Sequence, residues 1–107
     1  MGVNIEKLRE YELTVVLVDK KTDTLNALND KVTAYYFIKD REIDGPKTLA
    51  YPIRNEKGTS YDKGVYVYYK LLQRDDIETY FLTRLLDNES TVLRYMIVPV
   101  NNNKKGQ

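Results

Sequence analysis

Apolar and polar positions alternate along much of this chain, and changes in their phase mark the elements. Residues 11–19 are rich in Tyr, Leu, Thr and Val and predict a strand whose middle is buried on both faces. Residues 22–30 offer Thr22 or Asp23 as a cap but only Leu25 and Leu28 as apolar anchors, which fits a short helix or a long turn. Residues 31–39 alternate, with Val32, Ala34, Tyr36 and Ile38 on one face and Lys31, Thr33, Tyr35, Phe37 and Lys39 on the other. That pattern predicts a strand with a core face and a mixed polar–aromatic face. Asp44, Gly45 and Pro46 predict a turn, followed by a weaker strand over residues 47–54 through Leu49, Tyr51 and Ile53. Pro52 has no N–H to give a ladder, which puts this strand at an edge or in a bulge.

Residues 55–63 read as a loop. Residues 64–72 carry the strongest strand signal, Val65, Val67, Tyr69 and Leu71 facing one way and Tyr66, Tyr68, Lys70 and Leu72 the other. At residues 75–87 the period becomes helical: Ile77, Tyr80, Phe81 and Leu85, with Leu82 and Leu86 beside them, form one broad face. Asp75 or Asp76 caps this helix and Asn88 ends it; a hairpin of residues 77–86 with 91–98 is the competing reading and fits the spacing less well. A last strand, residues 91–99, closes at Pro99.

The fold class expected is α+β: a mainly antiparallel sheet of about five strands with one main helix (75–87) packed on one face. Residues 64–72, 75–87 and 91–98 have the lengths of a C-terminal βαβ unit, which would make its two strands parallel. Residues 1–100 make one domain, and residues 101–107, polar throughout, are expected to form a disordered tail.

Composition removes many chemistries. The 107 residues contain no histidine and no cysteine, so the usual general base, thiol nucleophiles and zinc–thiolate sites are missing. Asp40, Glu42, Asp44 and Gly45 match the first half of a calcium loop, but its eighth and twelfth positions are Lys47 and Tyr51, and a charged turn is the better reading. No phosphate-binding glycine loop is present. The chain is therefore expected to be non-enzymatic and to need no cofactor and no metal. The apolar runs are far shorter than the roughly 20 residues of a membrane span, and the first residues lack a signal-peptide pattern, so a cytoplasmic protein with no membrane partner is expected.

The net charge of +1 names no polyanionic partner, although residues 41–74 hold seven basic and four acidic residues. The unusual feature is ten tyrosines with no tryptophan. Tyrosine has an apolar body and a polar tip, which suits half-wet interfaces. The segment 63–70, Lys-Gly-Val-Tyr-Val-Tyr-Tyr-Lys, resembles the central strand of the RNA-recognition motif in its basic–glycine start and its aromatics. It departs from that family at Val65 and Tyr66, and Leu13-Thr14-Val15 lacks the partner strand's aromatic. No family membership follows.

Tyr66, Tyr68 and Lys70 share one strand face, and Tyr35, Phe37 and Lys39 another; with Lys63 and Arg74 they form the candidate binding set. The leading expectation is a small interaction module (an inhibitor, adaptor or structural subunit) that binds a protein partner or itself, as a homodimer, through a tyrosine-rich sheet face or edge. The alternative is single-stranded nucleic-acid binding, with the tyrosines stacking bases and Lys39, Lys63, Lys70 and Arg74 on phosphates. If helix 75–87 instead covers Tyr66 and Tyr68, they are core.

Overall fold

β1 (Glu10–Leu17) leads into α1 (Thr22–Thr33), then β2 (Tyr36–Arg54), β3 (Ser60–Gln73), α2 (Thr79–Asp87) and β4 (Val92–Pro99). The structure is a computed structural model and describes residues 9–74 and 79–100. The cap expected at Asp75 or Asp76, the anchor Ile77 and the tail at 101–107 lie outside the described residues.

The four strands form one sheet in the order β2-β3-β1-β4, every neighbouring pair antiparallel. It follows that β1 and β2 run parallel with β3 between them, and β3 and β4 run parallel with β1 between them. Each helix is thus the crossover of a split βαβ unit. The expected C-terminal βαβ unit takes this split form.

Both helices pack on one face of the sheet. Leu13, Val15 and Leu17 of β1 and Val65, Val67, Tyr69 and Leu71 of β3 meet Leu28 and Val32 of α1 and Leu82 and Leu86 of α2 in a single core. Val15 and Val16 are both buried, as the unbroken apolar run of β1 required. In α1, Thr24, Leu28 and Val32 recur every four residues and form its buried stripe. No side-chain hydrogen bond caps α1 at its N-cap, Lys21. Asp19 supports that end instead: its carboxylate accepts the Lys21 N–H at 3.0 Å, and a hydrogen bond with Thr24 holds its pKa below the ordinary value.

Two sequence expectations change here. The strands placed at residues 31–39 and 47–54 are one strand, β2, so the sheet has four strands where about five were expected. Asp44, Gly45 and Pro46 do not reverse the chain. β3 is long enough to pair on both sides of them, and the extra residues are absorbed as a bulge between Asp44 and Lys47, with Gly45 at φ +123°. The second change is that Val32 and Thr33 belong to α1, because Val32 completes the stripe of Thr24 and Leu28. Pro52 lies within the irregular stretch between Thr48 and Ile53 of the edge strand β2, where no ladder needs its N–H.

Beyond the end of β1 only β2 and β3 continue, as a two-stranded arm. Its turn is fastened by the Asn55 side-chain oxygen, which accepts the N–H groups of Lys57 and Thr59, and by Gly58 at φ +88°.

The helix-free sheet face as a candidate interface

Directly paired residues of an antiparallel ladder project to the same side, so register assigns the face opposite the helices. Across the sheet it reads Glu42–Tyr68–Thr14–Met96, then Asp40–Lys70–Glu12–Val98, then Asp44–Tyr66–Val16–Arg94, and Phe37–Leu72–Glu10 at one end. Tyr66 and Tyr68 stand here, uncovered by any helix; α2 packs on the other side. Their rings stack at 6.1 Å between centroids and 22° between planes. Phe37 and Met96 are 53% and 63% exposed, high for such apolar side chains on a structured strand.

Five of the eight candidate residues, Phe37, Lys39, Tyr66, Tyr68 and Lys70, lie on this face. Lys39 reaches it through a 3.1 Å ion pair with Glu10 across β3. Arg74 stands at its end, its guanidinium 5.5 Å from the Phe37 ring and donating to the Thr33 carbonyl at 2.7 Å. Tyr35 does not belong to the set. It precedes β2, is half-buried and packs on Phe81 of α2 at 6.1 Å. Lys63 is on the arm in the odd-numbered phase of β3, opposite to Tyr66 and Tyr68.

Sequence reasoning missed Met96, Val98 and Arg94. The alternation of β4 against Leu93, Tyr95 and Ile97 was their signal, but it becomes a face assignment only once β4 is known to sit beside β1. The acidic members were also missed. Asp40, Glu42 and Asp44 lie on extended backbone rather than in a turn, and they line the β2 side of the tyrosines. Lys47 answers one of them: it pairs with Asp44 at 3.0 Å, which raises the pKa of the lysine, and lies 5.1 Å from the Tyr66 ring centroid. No group of three metal-ligating side chains gathers among the described residues.

One end of the face is closed by packing. Gly64 falls where the alternation would place a side chain beside Val16, and Val16 and Leu49 close over it instead.

No protein-family model and no curated protein matches the chain. Among solved structures it is similar to the 30S ribosomal protein S6 of Thermotoga maritima, with a TM-score of 0.71 over 88% of this chain and 89% of that one. The likeness is one of fold. Only 15% of residues are identical, so the comparison supports the α+β architecture and carries over no site residue. No helix among the described residues is long and apolar enough to cross a membrane.

Proposed function

We propose that this chain is a non-catalytic structural subunit that docks a protein partner, or a second copy of itself, through the helix-free sheet face, within a protein–RNA assembly of the kind its structural neighbour's name denotes. The observation that carries the reading is the composition of that face. Phe37, Tyr66, Tyr68, Leu72, Met96 and Val98 form an apolar and aromatic band among charges of both signs, which is the make-up of a specific protein interface.

Single-stranded nucleic-acid binding is the second reading, and the Tyr66–Tyr68 stack favours it. Glu42 and Asp44 weigh against it. They stand directly opposite Tyr68 and Tyr66, where a phosphate chain following stacked bases would run.

Sedimentation decides between them. A tagged chain in lysate of cells that express it is expected to travel with ribonucleoprotein particles or as a dimer, and Met96→Asp is expected to release it. An oligonucleotide shift of the pure chain that weakens steeply with salt, and that Tyr68→Ala reduces by about 1–3 kcal/mol, would establish the second reading. A chain that stays monomeric at high concentration and sediments with nothing overturns both.

A further inference from the structure

We propose a second binding site, separate from the helix-free face: the groove between the β2–β3 arm and the α2–β4 connection takes an extended acidic segment of a protein partner, added as a strand to the free edge of β3. β1 stops at Leu17, in register with Val65, and its chain then turns away toward α1. β3 continues outward from there to Ser60, and over residues 60–64 its ladder is with β2 alone. The edge that faced β1 therefore presents backbone N–H and C=O groups with no strand beside them among the described residues. Five residues span about 17 Å, an ordinary strand length and enough to bind a peptide by β-addition.

An open groove lies beside that edge, and Tyr61 is the residue of the 60–64 stretch that lines it. The groove's volume is about 880 Å³, within the range of specific ligand sites. Its far wall is the α2–β4 connection, fixed by the Val18 N–H donating to the Thr91 carbonyl at 2.9 Å. Val18, Ile53, Tyr61 and Val92 give it apolar lining for the alternate side chains of an extended guest.

Charge selects the guest. Arg54 and Lys57 of the arm line the groove and are exposed, as is Arg94, which borders it from the edge of the helix-free face. The side chains of all three make no hydrogen bond or ion pair among the described residues. The acidic groups on the facing wall are already engaged: Asp87 accepts the Tyr95 hydroxyl at 2.6 Å, and Glu89 pairs with Lys31 at 2.8 Å. Against the three cations the arm sets Glu56 in the groove and Asp62 on the 60–64 edge, where Lys63 is its neighbour. The uncompensated charge is positive, so the segment that complements it alternates carboxylates with apolar side chains.

The test is selection of displayed random peptides of about eight residues on the full chain, followed by fluorescence anisotropy of each selected peptide. Selected peptides are expected to carry at least one carboxylate alternating with apolar residues. Arg54→Glu/Lys57→Glu, with its fold verified by its amide NMR spectrum, is expected to weaken them by about tenfold or more. Amide shifts on binding should centre on residues 60–64, Val18 and Thr91. Several results overturn the proposal: no binder; binders without carboxylates that ignore the double variant; shifts confined to the helix-free face; or a groove filled by RNA or by a second copy of the chain. Failure here leaves the sedimentation result for the helix-free face intact, because the variants and the shifts read here (Arg54, Lys57, residues 60–64, Val18 and Thr91) lie apart from Met96 and Tyr68.

Discussion

The two faces of β3 carry the same kind of pattern and meet opposite fates. Val65, Val67, Tyr69 and Leu71 are almost fully buried beneath the helices, while Tyr66, Tyr68 and Leu72 are half-buried and Lys70 is exposed. Both phases are apolar or aromatic enough to be core. What separates them is shape and polarity. Narrow β-branched side chains at 65 and 67 let helices approach closely, and the one buried tyrosine in that phase, Tyr69, donates its hydroxyl to Asn29 of α1. The outer tyrosines keep their polar tips in water and their rings in contact with each other.

The sharpest way to break this contrast is to delete volume from each side. Leu82→Ala, facing the inner phase from α2, is expected to lose about 2–5 kcal/mol of unfolding free energy, because the cavity has sheet behind it and helix around it. Leu72→Ala on the outer phase should lose less than about 1 kcal/mol. Urea denaturation of both variants measures the difference, and equal losses would mean that the outer face is core as well.

Gly64 is where the outer face does become core. A Cβ built there would lie 2.5 Å from Val16 Cγ1 and 3.3 Å from Leu49 Cδ2, closer than packing allows. Gly64→Ala is therefore expected to cost about 1–3 kcal/mol by overpacking. Val16→Ala in the same chain should recover part of that loss; a purely additive pair, measured by denaturation, would place the strain elsewhere.

How much of this was legible before the fold was known depended on how local the signal was. Strand phase in β1 and β3 and the helical period of α2 are properties of adjacent residues, and they read correctly. The face of α2 did not, because Tyr80 and Phe81, placed on its core side, are exposed, and Leu82 and Leu86, placed beside them, are the buried pair. The division of β2 into two strands failed, because Asp44-Gly45-Pro46 is chemically a turn, and only the length of β3 across from it makes it a bulge. The candidate site divided in the same way. Tyr66, Tyr68 and Lys70 share a face by strand period alone. Tyr35 was misplaced because Val32 and Thr33 continue α1, leaving Tyr35 ahead of the strand and against Phe81. The acidic flank of the tyrosines and the apolar pair Met96 and Val98 arise only from register between distant strands, which a single sequence does not encode locally.

Within the covered face, two buried tyrosines sharpen the comparison further. The Tyr69 hydroxyl has its Asn29 partner, whereas the Tyr36 hydroxyl is buried with no hydrogen-bond partner among the described residues. Tyr69→Phe is expected to destabilise by about 0.5–1.5 kcal/mol, and Tyr36→Phe to be neutral or stabilising, since it removes a desolvated group that bonds to nothing. Burial pushes both phenols up from 10.0 to about 12. The folded state thus holds these protons more tightly than the unfolded chain. Stability should be full below pH 10 and fall as the pH rises toward 12. Each phenylalanine variant should flatten part of that alkaline loss in thermal melts recorded across the range.

The smallest effect expected is at the connection that walls the proposed groove. Lys31 of α1 meets Glu89 at 2.8 Å, and the Thr91 hydroxyl donates to the same carboxylate at 2.9 Å. The lysine first, and the Thr91 bonds after it, hold the Glu89 pKa below its ordinary 4.5. Because the folded pKa is depressed, the contribution is present above pH 4.5 and disappears as the pH falls through the folded value. Both side chains are partly exposed, so water and salt screen the pair, and about 0.2–1 kcal/mol is the size expected. Lys31→Met should lose that amount at neutral pH, lose less in high salt, and move the Glu89 titration upward in carboxyl NMR. If the variant melts like the parent at every pH and the Glu89 titration stays where it is, water screens the pair to no effect and the Thr91 bonds alone hold the Glu89 carboxylate.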